Sequence, residues 1–208
     1  MTQKERMIAG LPYKAWLDGL EEESLRAKML CHQFNQLSPD AFAERDAVLK
    51  ELLGPCGSGI CILQPFHCDY GYNIEIAGDF FANYNLTVLD VAKVSIGRNV
   101  QCGPNVGLYT AGHPIHAASR NSGYEYGRAI TIGDNVWLGA GVIVCPGVRI
   151  GDNAVIGAGS VVVRDIPPDC VAVGNPCRVV RAITEADRRY YCGTEEFEGA
   201  ILAELGIE

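Results

Sequence analysis

The chain's 208 residues allow one main domain with a small appendage, and 48% hydrophobic with 20% charged content suits a globular protein. A formal net charge of −8 argues against a nucleic-acid partner, no apolar run reaches membrane-spanning length, and residues 1–10 lack the apolar stretch of a secretory signal. Nine cysteines, irregularly spaced and without a C-x-x-C pair, speak for a reducing cytoplasm and against a disulfide framework or a structural zinc site.

Residues 1–54 carry no repeat. Residues 21–37 are rich in helix formers, with Leu25, Met29, Leu30, Phe34 and Leu37 at helical spacing. Ser38 is placed to cap a second helix opened by Pro39 and ended by Gly54. This segment is expected to form a helical cap over the open end of a downstream solenoid, shielding its exposed sheet edges. Residues 57–91 read as short strands with irregular punctuation.

From Val94 the chain counts in sixes. Six consecutive hexads open at Ile132, Leu138, Val144, Ile150, Ile156 and Val162, and Ile96, Cys102 and Leu108 share their phase. A repeat this regular predicts a solenoid, three hexads making one turn of a triangular prism with the aliphatic residue inside. Gly133-Asp134-Asn135 and Gly151-Asp152-Asn153 supply residues suited to tight corners. Residues 114–129 interrupt the pattern without changing its phase, the mark of a loop thrown out from the coil, and long loops of this kind carry function. The solenoid is expected over 55–183, and residues 184–208 read as a helical tail.

His113, in Thr110-Ala111-Gly112-His113-Pro114, stands where the last regular hexad meets the insertion. An imidazole there could take a proton from a hydroxyl, although a lone histidine is more often structural. Asp69-Tyr70-Gly71-Tyr72-Asn73 and the segment from Phe80 to Asn85 mix aromatic rings with carboxylate and amide groups, as a sugar site does; the bland alternative is core phenylalanines and corner asparagines. Trp137 falls on a coil exterior and reads as an interface or ligand wall. Small residues at 139–141 and 157–159 leave either a shallow channel or merely tight corners. Arg164, Arg178 and Arg181 are phosphate ligands or plain solvated arginines.

Taken together, the hexads, Asp69 to Asn73, Phe80 to Asn85, His113-Pro114, Asn121-Ser122-Gly123, Asn135-Val136-Trp137, Gly174-Asn175-Pro176 and Met7-Ile8-Ala9-Gly10 resemble the maltose and galactoside O-acetyltransferases and the related nodulation acetyltransferases. The resemblance runs nearly end to end. It implies a left-handed parallel β-helix, a homotrimer with sites between subunits, and acetyl-CoA as co-substrate with no metal. It makes His113 the general base toward a sugar hydroxyl and Asn83 the oxyanion donor. Asp69, Phe81 and Trp137 fall at acceptor positions, and Ala140, Ala158, Val163, Arg164, Arg178 and Arg181 at acetyl-CoA positions. Where the galactoside branch has acceptor-binding Asp, Tyr and Asp, this chain has Ala15, Phe81 and Val91, which favours a maltose-type or other hydroxylated acceptor. Two rival functions are a zinc carbonic anhydrase on the same solenoid, needing ligands from His67, His113 and His116, and a non-catalytic scaffold.

Overall fold

A computed structural model describes residues 1–207; Glu208, the last residue of the expected tail, lies outside them. Three sheets, parallel except for the last strand of the largest, form the faces of a β-helix. One carries seven strands, beginning with Ile60–Ile62, Phe80–Ala82, Gln101–Cys102, Trp137–Leu138 and Val155–Ile156. The second carries five, from Phe66–Cys68 to Val161–Val162, and the third four, from Ile74–Gly78 to Arg149–Ile150. The coil already begins at Ile60, upstream of the regular hexads. Its first turn takes 20 residues, Ile60 pairing with Phe80, whereas Trp137 pairs with Val155 eighteen residues on. Extra corner residues in the early turns are what blur the six-residue count there.

Inside the prism the hexad openers stack. Ile96, Ile132 and Ile150 lie in register on one face, Cys102, Leu138 and Ile156 on the next, and Leu108, Val144 and Val162 on the third, all buried. The residue two places earlier in each hexad, such as Val136, Val142 and Val148, is buried as well. The corners divide labour between glycine and asparagine. Asn99, Asn135 and Asn153 take positive φ of 54°, 57° and 58°. Their side chains form a ladder, each Nδ2 donating to the next coil: Asn99 to Asn135 at 3.0 Å, Asn135 to Asn153 at 2.9 Å and Asn153 to Asp169 at 2.6 Å. Gly133 serves a different need. A Cβ there would lie 2.1 Å from Asp152 Oδ1, the oxygen that accepts the Asp134 N–H at 2.9 Å.

The N-terminal residues have two destinations. Helices α2 (Leu20–Gln36) and α3 (Phe42–Leu52) pack through Ala27, Leu30, Phe34, Val48, Leu49 and Leu52 onto Ile62 and Phe66 of the first coil, continuing the main core. Ser38 does not cap α3. Its hydroxyl bonds the Asp40 carboxylate within a tight turn, and Ala41 precedes the helix. In residues 1–19, which include α1 (Gln3–Ile8), Met7 and Tyr13 join Leu20, Tyr70 and Val91 in a separate apolar cluster beside the insertion. At the far end, Cys170–Val173 turns back through Gly174-Asn175-Pro176-Cys177 into the antiparallel strand Arg178–Ala182. The tail is less helical than its composition suggests: a 3-10 turn (Glu185–Arg189), a two-stranded hairpin (Tyr190–Cys192 with Glu195–Glu196) and one short helix (Gly199–Glu204). Among the described residues no helix is long and apolar enough to cross a membrane.

Candidate active site

The insertion leaves the corner between the five-stranded and four-stranded sheets. It departs after Gly107–Tyr109 and returns at Ile130–Ile132. It is a small hairpin, Ala111–Gly112 pairing antiparallel with Tyr126–Gly127, with the short helix Ala117–Asn121 at its tip. Its base is rigid, because Thr110 Oγ1 donates to Leu89 O at 2.6 Å and accepts from Ala92 N at 2.9 Å.

His113 follows the first hairpin strand with its side chain 57% exposed. Its Nε2 lies 3.9 Å from Oε2 of Glu125, whose side chain is mostly buried. The other oxygen, Oε1, accepts from Tyr13 Oη at 2.5 Å. Asp69 stands at the same corner, two coils before the insertion. Burial, with Asp90 and Glu125 repelling its negative charge, pushes the Asp69 carboxyl up to about 6. Asp90 is fully buried, its Oδ1 accepting from Asp69 N at 3.0 Å and Tyr70 N at 2.9 Å, and burial raises its carboxyl above the usual range. The corner therefore gathers one imidazole and three carboxylates.

The remaining residues lie elsewhere. Phe81 and Trp137 project outward from the seven-stranded sheet, two rungs apart in register with Gln101 between them. Asn83 follows that sheet at the next corner. Its Oδ1 accepts the Tyr84 N–H at 2.8 Å, which leaves the amide nitrogen as the donor for a ligand. Ala140 and Ala158 are exposed on the same edge of successive coils, with the Gly159 N–H on Ala140 O at 2.8 Å. The small residues here have a packing cause: a Cβ on Gly103 or Gly139 would lie 2.7 or 2.6 Å from the next coil's backbone. That same close packing leaves a smooth, narrow edge. Val163, Arg164, Arg178 and Arg181 are exposed toward the solenoid's end. Arg181 is engaged in a forked pair with Asp187, at 2.9 and 3.0 Å, so its guanidinium is not open as placed. Arg178 donates to Cys177 O at 2.7 Å.

A single chain thus splits the expected site. His113 and Asp69 share one prism corner; Asn83, Ala140 and Ala158 share another, with Phe81 and Trp137 on the face leading to it. Ala15 and Val91 belong to the apolar cluster around Tyr13. Sequence reasoning missed Glu125, Tyr13 and Asp90. For Glu125 a signal existed: it is the sole carboxylate in the insertion. For Tyr13, 112 residues distant, none did. Among the described residues no three of His, Cys, Asp or Glu group so as to hold a metal ion, whereas the zinc reading needs three ligands in one place.

Known proteins resemble this chain in sequence and fold. Residues 6–57 match the maltose acetyltransferase hexapeptide capping motif, and residues 129–164 the bacterial transferase hexapeptide (six repeats). The galactoside O-acetyltransferase of Escherichia coli strain K12 is 44% identical over 97% of this chain and 99% of its own. A maltose O-acetyltransferase structure from Clostridium difficile 630 is 52% identical, covering 89% of this chain and 99% of that one with a TM-score of 0.87. A galactoside acetyltransferase structure in complex with coenzyme A is 44% identical, covering 96% and 100%, with a TM-score of 0.92.

Proposed function

Because the chain belongs to the hexapeptide-repeat acetyltransferases, the family of the maltose and galactoside O-acetyltransferases, we propose that it moves the acetyl group of acetyl-CoA to a hydroxyl of a sugar. His113 takes the hydroxyl proton, and the oxygen attacks the thioester carbonyl. Asn83 donates its side-chain amide to the oxyanion that forms. As the tetrahedral intermediate collapses, the C–S bond breaks and the departing sulfur receives the proton from His113. The carboxylate of Glu125 faces the imidazolium during the interval when it is charged. The observation that carries this reading is the approach of Glu125 Oε2 to His113 Nε2, on a hairpin base fixed by Thr110.

Acetyl-CoA fits the other corner. Peptide groups at Ala140 and Ala158 border a narrow edge suited to an extended pantetheine arm, and Arg164 and Arg178 supply cations for its phosphates. Arg181 would first have to leave Asp187. Asp69 accepts from acceptor hydroxyls, while Phe81 and Trp137 offer apolar faces to a sugar ring. The two corners meet when copies of the chain associate, most simply as the homotrimer the resemblance implies. The nearly bare side chain of Ile115 on the insertion, 96% exposed, supports such a contact. Nine free thiols suit work in a reducing cytoplasm.

The deciding measurement follows free thiol release from acetyl-CoA across mono- and disaccharides, with His113→Ala alongside. The variant is expected to lose turnover by about 10²–10⁴-fold with little change in acetyl-CoA affinity. Full turnover in the variant would refute the base assignment, and no thiol release with any sugar would refute the acceptor class.

A further inference from the structure

The N-terminal arm reaches further into the site than a cap would. Tyr13 pairs with Glu125 through both backbone groups, each N–H meeting the other's carbonyl at 3.0 Å. Its phenol donates to Glu125 Oε1 at 2.5 Å, and Glu125 Oε2 is the atom that faces His113. Arm and hairpin dock at further points. Arg128 Nη1 donates to Gly10 O at 2.7 Å, and Lys14 Nζ lies 5.0 Å from the Tyr124 ring centre. Gly123 admits Trp16 so closely that a Cβ there would sit 2.1 Å from the indole.

Tyr13 is fully buried between Met7, Leu20, Tyr70 and Val91, so its ring has one position. Burial and the adjoining Glu125 charge push its hydroxyl far above the ordinary tyrosine range, so it remains a donor at every working pH. A glutamate has three side-chain torsions and samples many rotamers when exposed. With one oxygen tied to a fixed phenol, the second is held in one place. We propose that Tyr13 is a positioning residue for the catalytic base, acting through Glu125: it orients the carboxylate toward His113 without touching either substrate. The proposal rests on the assignment of His113 above.

The test is a double-mutant cycle in the full-length protein. Tyr13→Phe removes one oxygen and keeps the ring and both backbone pairs. It is expected to lower kcat roughly tenfold while the KM for acetyl-CoA stays within about twofold. Glu125→Gln is expected to lower kcat by at least as much. In the Glu125→Gln background, Tyr13→Phe should cost less than about twofold more, because its target is already neutral. Full kcat in Tyr13→Phe, or equal losses in both backgrounds, would overturn the proposal, since a purely structural role multiplies independently. Should Tyr13→Phe not yield folded protein, Glu125→Asp carries the test. It keeps the charge on a shorter stem, so a drop comparable to that of Glu125→Gln supports positioning and wild-type kcat overturns it. His113→Ala separates the two failures. If that variant is inactive while Tyr13→Phe is fully active, the proposal alone is wrong; if His113→Ala is active, the base assignment fails and the proposal with it.

Discussion

Asp69 shows how the placement of one side chain can cost the fold. Its carboxyl, ordinarily near 3.8, is pushed up to about 6 by burial and by Asp90 and Glu125. The folded state therefore binds its proton more tightly than the unfolded state does. Stability attributable to this group is fullest below about pH 4 and falls as pH rises through about 6. Asp69→Asn should raise the melting temperature at pH 7–8 by a few degrees and change it little at pH 4. Unchanged melting at pH 8 would show that the three carboxylates do not strain one another. The identity of Asp69 was legible in its motif. Its environment was not, because Asp90 and Glu125 lie 21 and 56 positions away and only the coil's stacking brings them near. His113 was legible for a similar reason: the phase break marks its position, whereas nothing local marks the phenol behind its carboxylate partner.

At the scale of the corner, the asparagine ladder combines two effects that substitution can separate. Asn135 holds a positive φ of 57° and bonds its neighbours on both sides. Asn135→Gly keeps the backbone comfortable and loses both rungs, at a cost of about 1–2 kcal/mol at this exposed edge. Asn135→Ala loses the rungs and adds the left-handed penalty of about 1–2 kcal/mol. Denaturant unfolding should therefore rank wild type above glycine above alanine. Equal stability of the two variants would mean that backbone conformation contributes nothing there. The hexads made the coils readable because one aliphatic residue per six is a strong period. The corners were read less well, since Gly133 and Asn135 look equally turn-like in sequence, and only the Asp152 carboxylate shows that Gly133 answers crowding rather than twist. The C-terminal tail was misread for want of packing: Tyr190 to Glu196 pairs as a hairpin, although the flanking residues favour helix.

At the scale of the molecule, His113 and Asn83 sit on different prism corners of one chain, so the proposed reaction makes a specific demand on assembly. His113→Ala and Asn83→Ala subunits, each inactive alone, should recover activity when unfolded together and refolded as mixtures. In a cyclic assembly formed at random from equal amounts, about a quarter of the interfaces would carry both intact residues. Recovery near that level supports sites shared between subunits, while no recovery from a mixture shown to have exchanged would place both residues in one subunit's site. The repeat announced a solenoid, and a solenoid buries little on its outer faces. The hexad pattern alone offered no means of knowing that Asn83 and His113 would leave from different corners.

The pairing of Tyr13 with Glu125 also orders events in time. As the polypeptide emerges from the ribosome, α2 and α3 meet their partners in the first coil after only a few dozen further residues. Tyr13 must wait for the hairpin, more than a hundred residues later, before its phenol has an acceptor. The nascent chain can therefore hold a capped and partly wound coil before the Tyr13–Glu125 pair exists, and Glu125 gains its phenol partner only when residue 13 closes on a segment 112 positions further along.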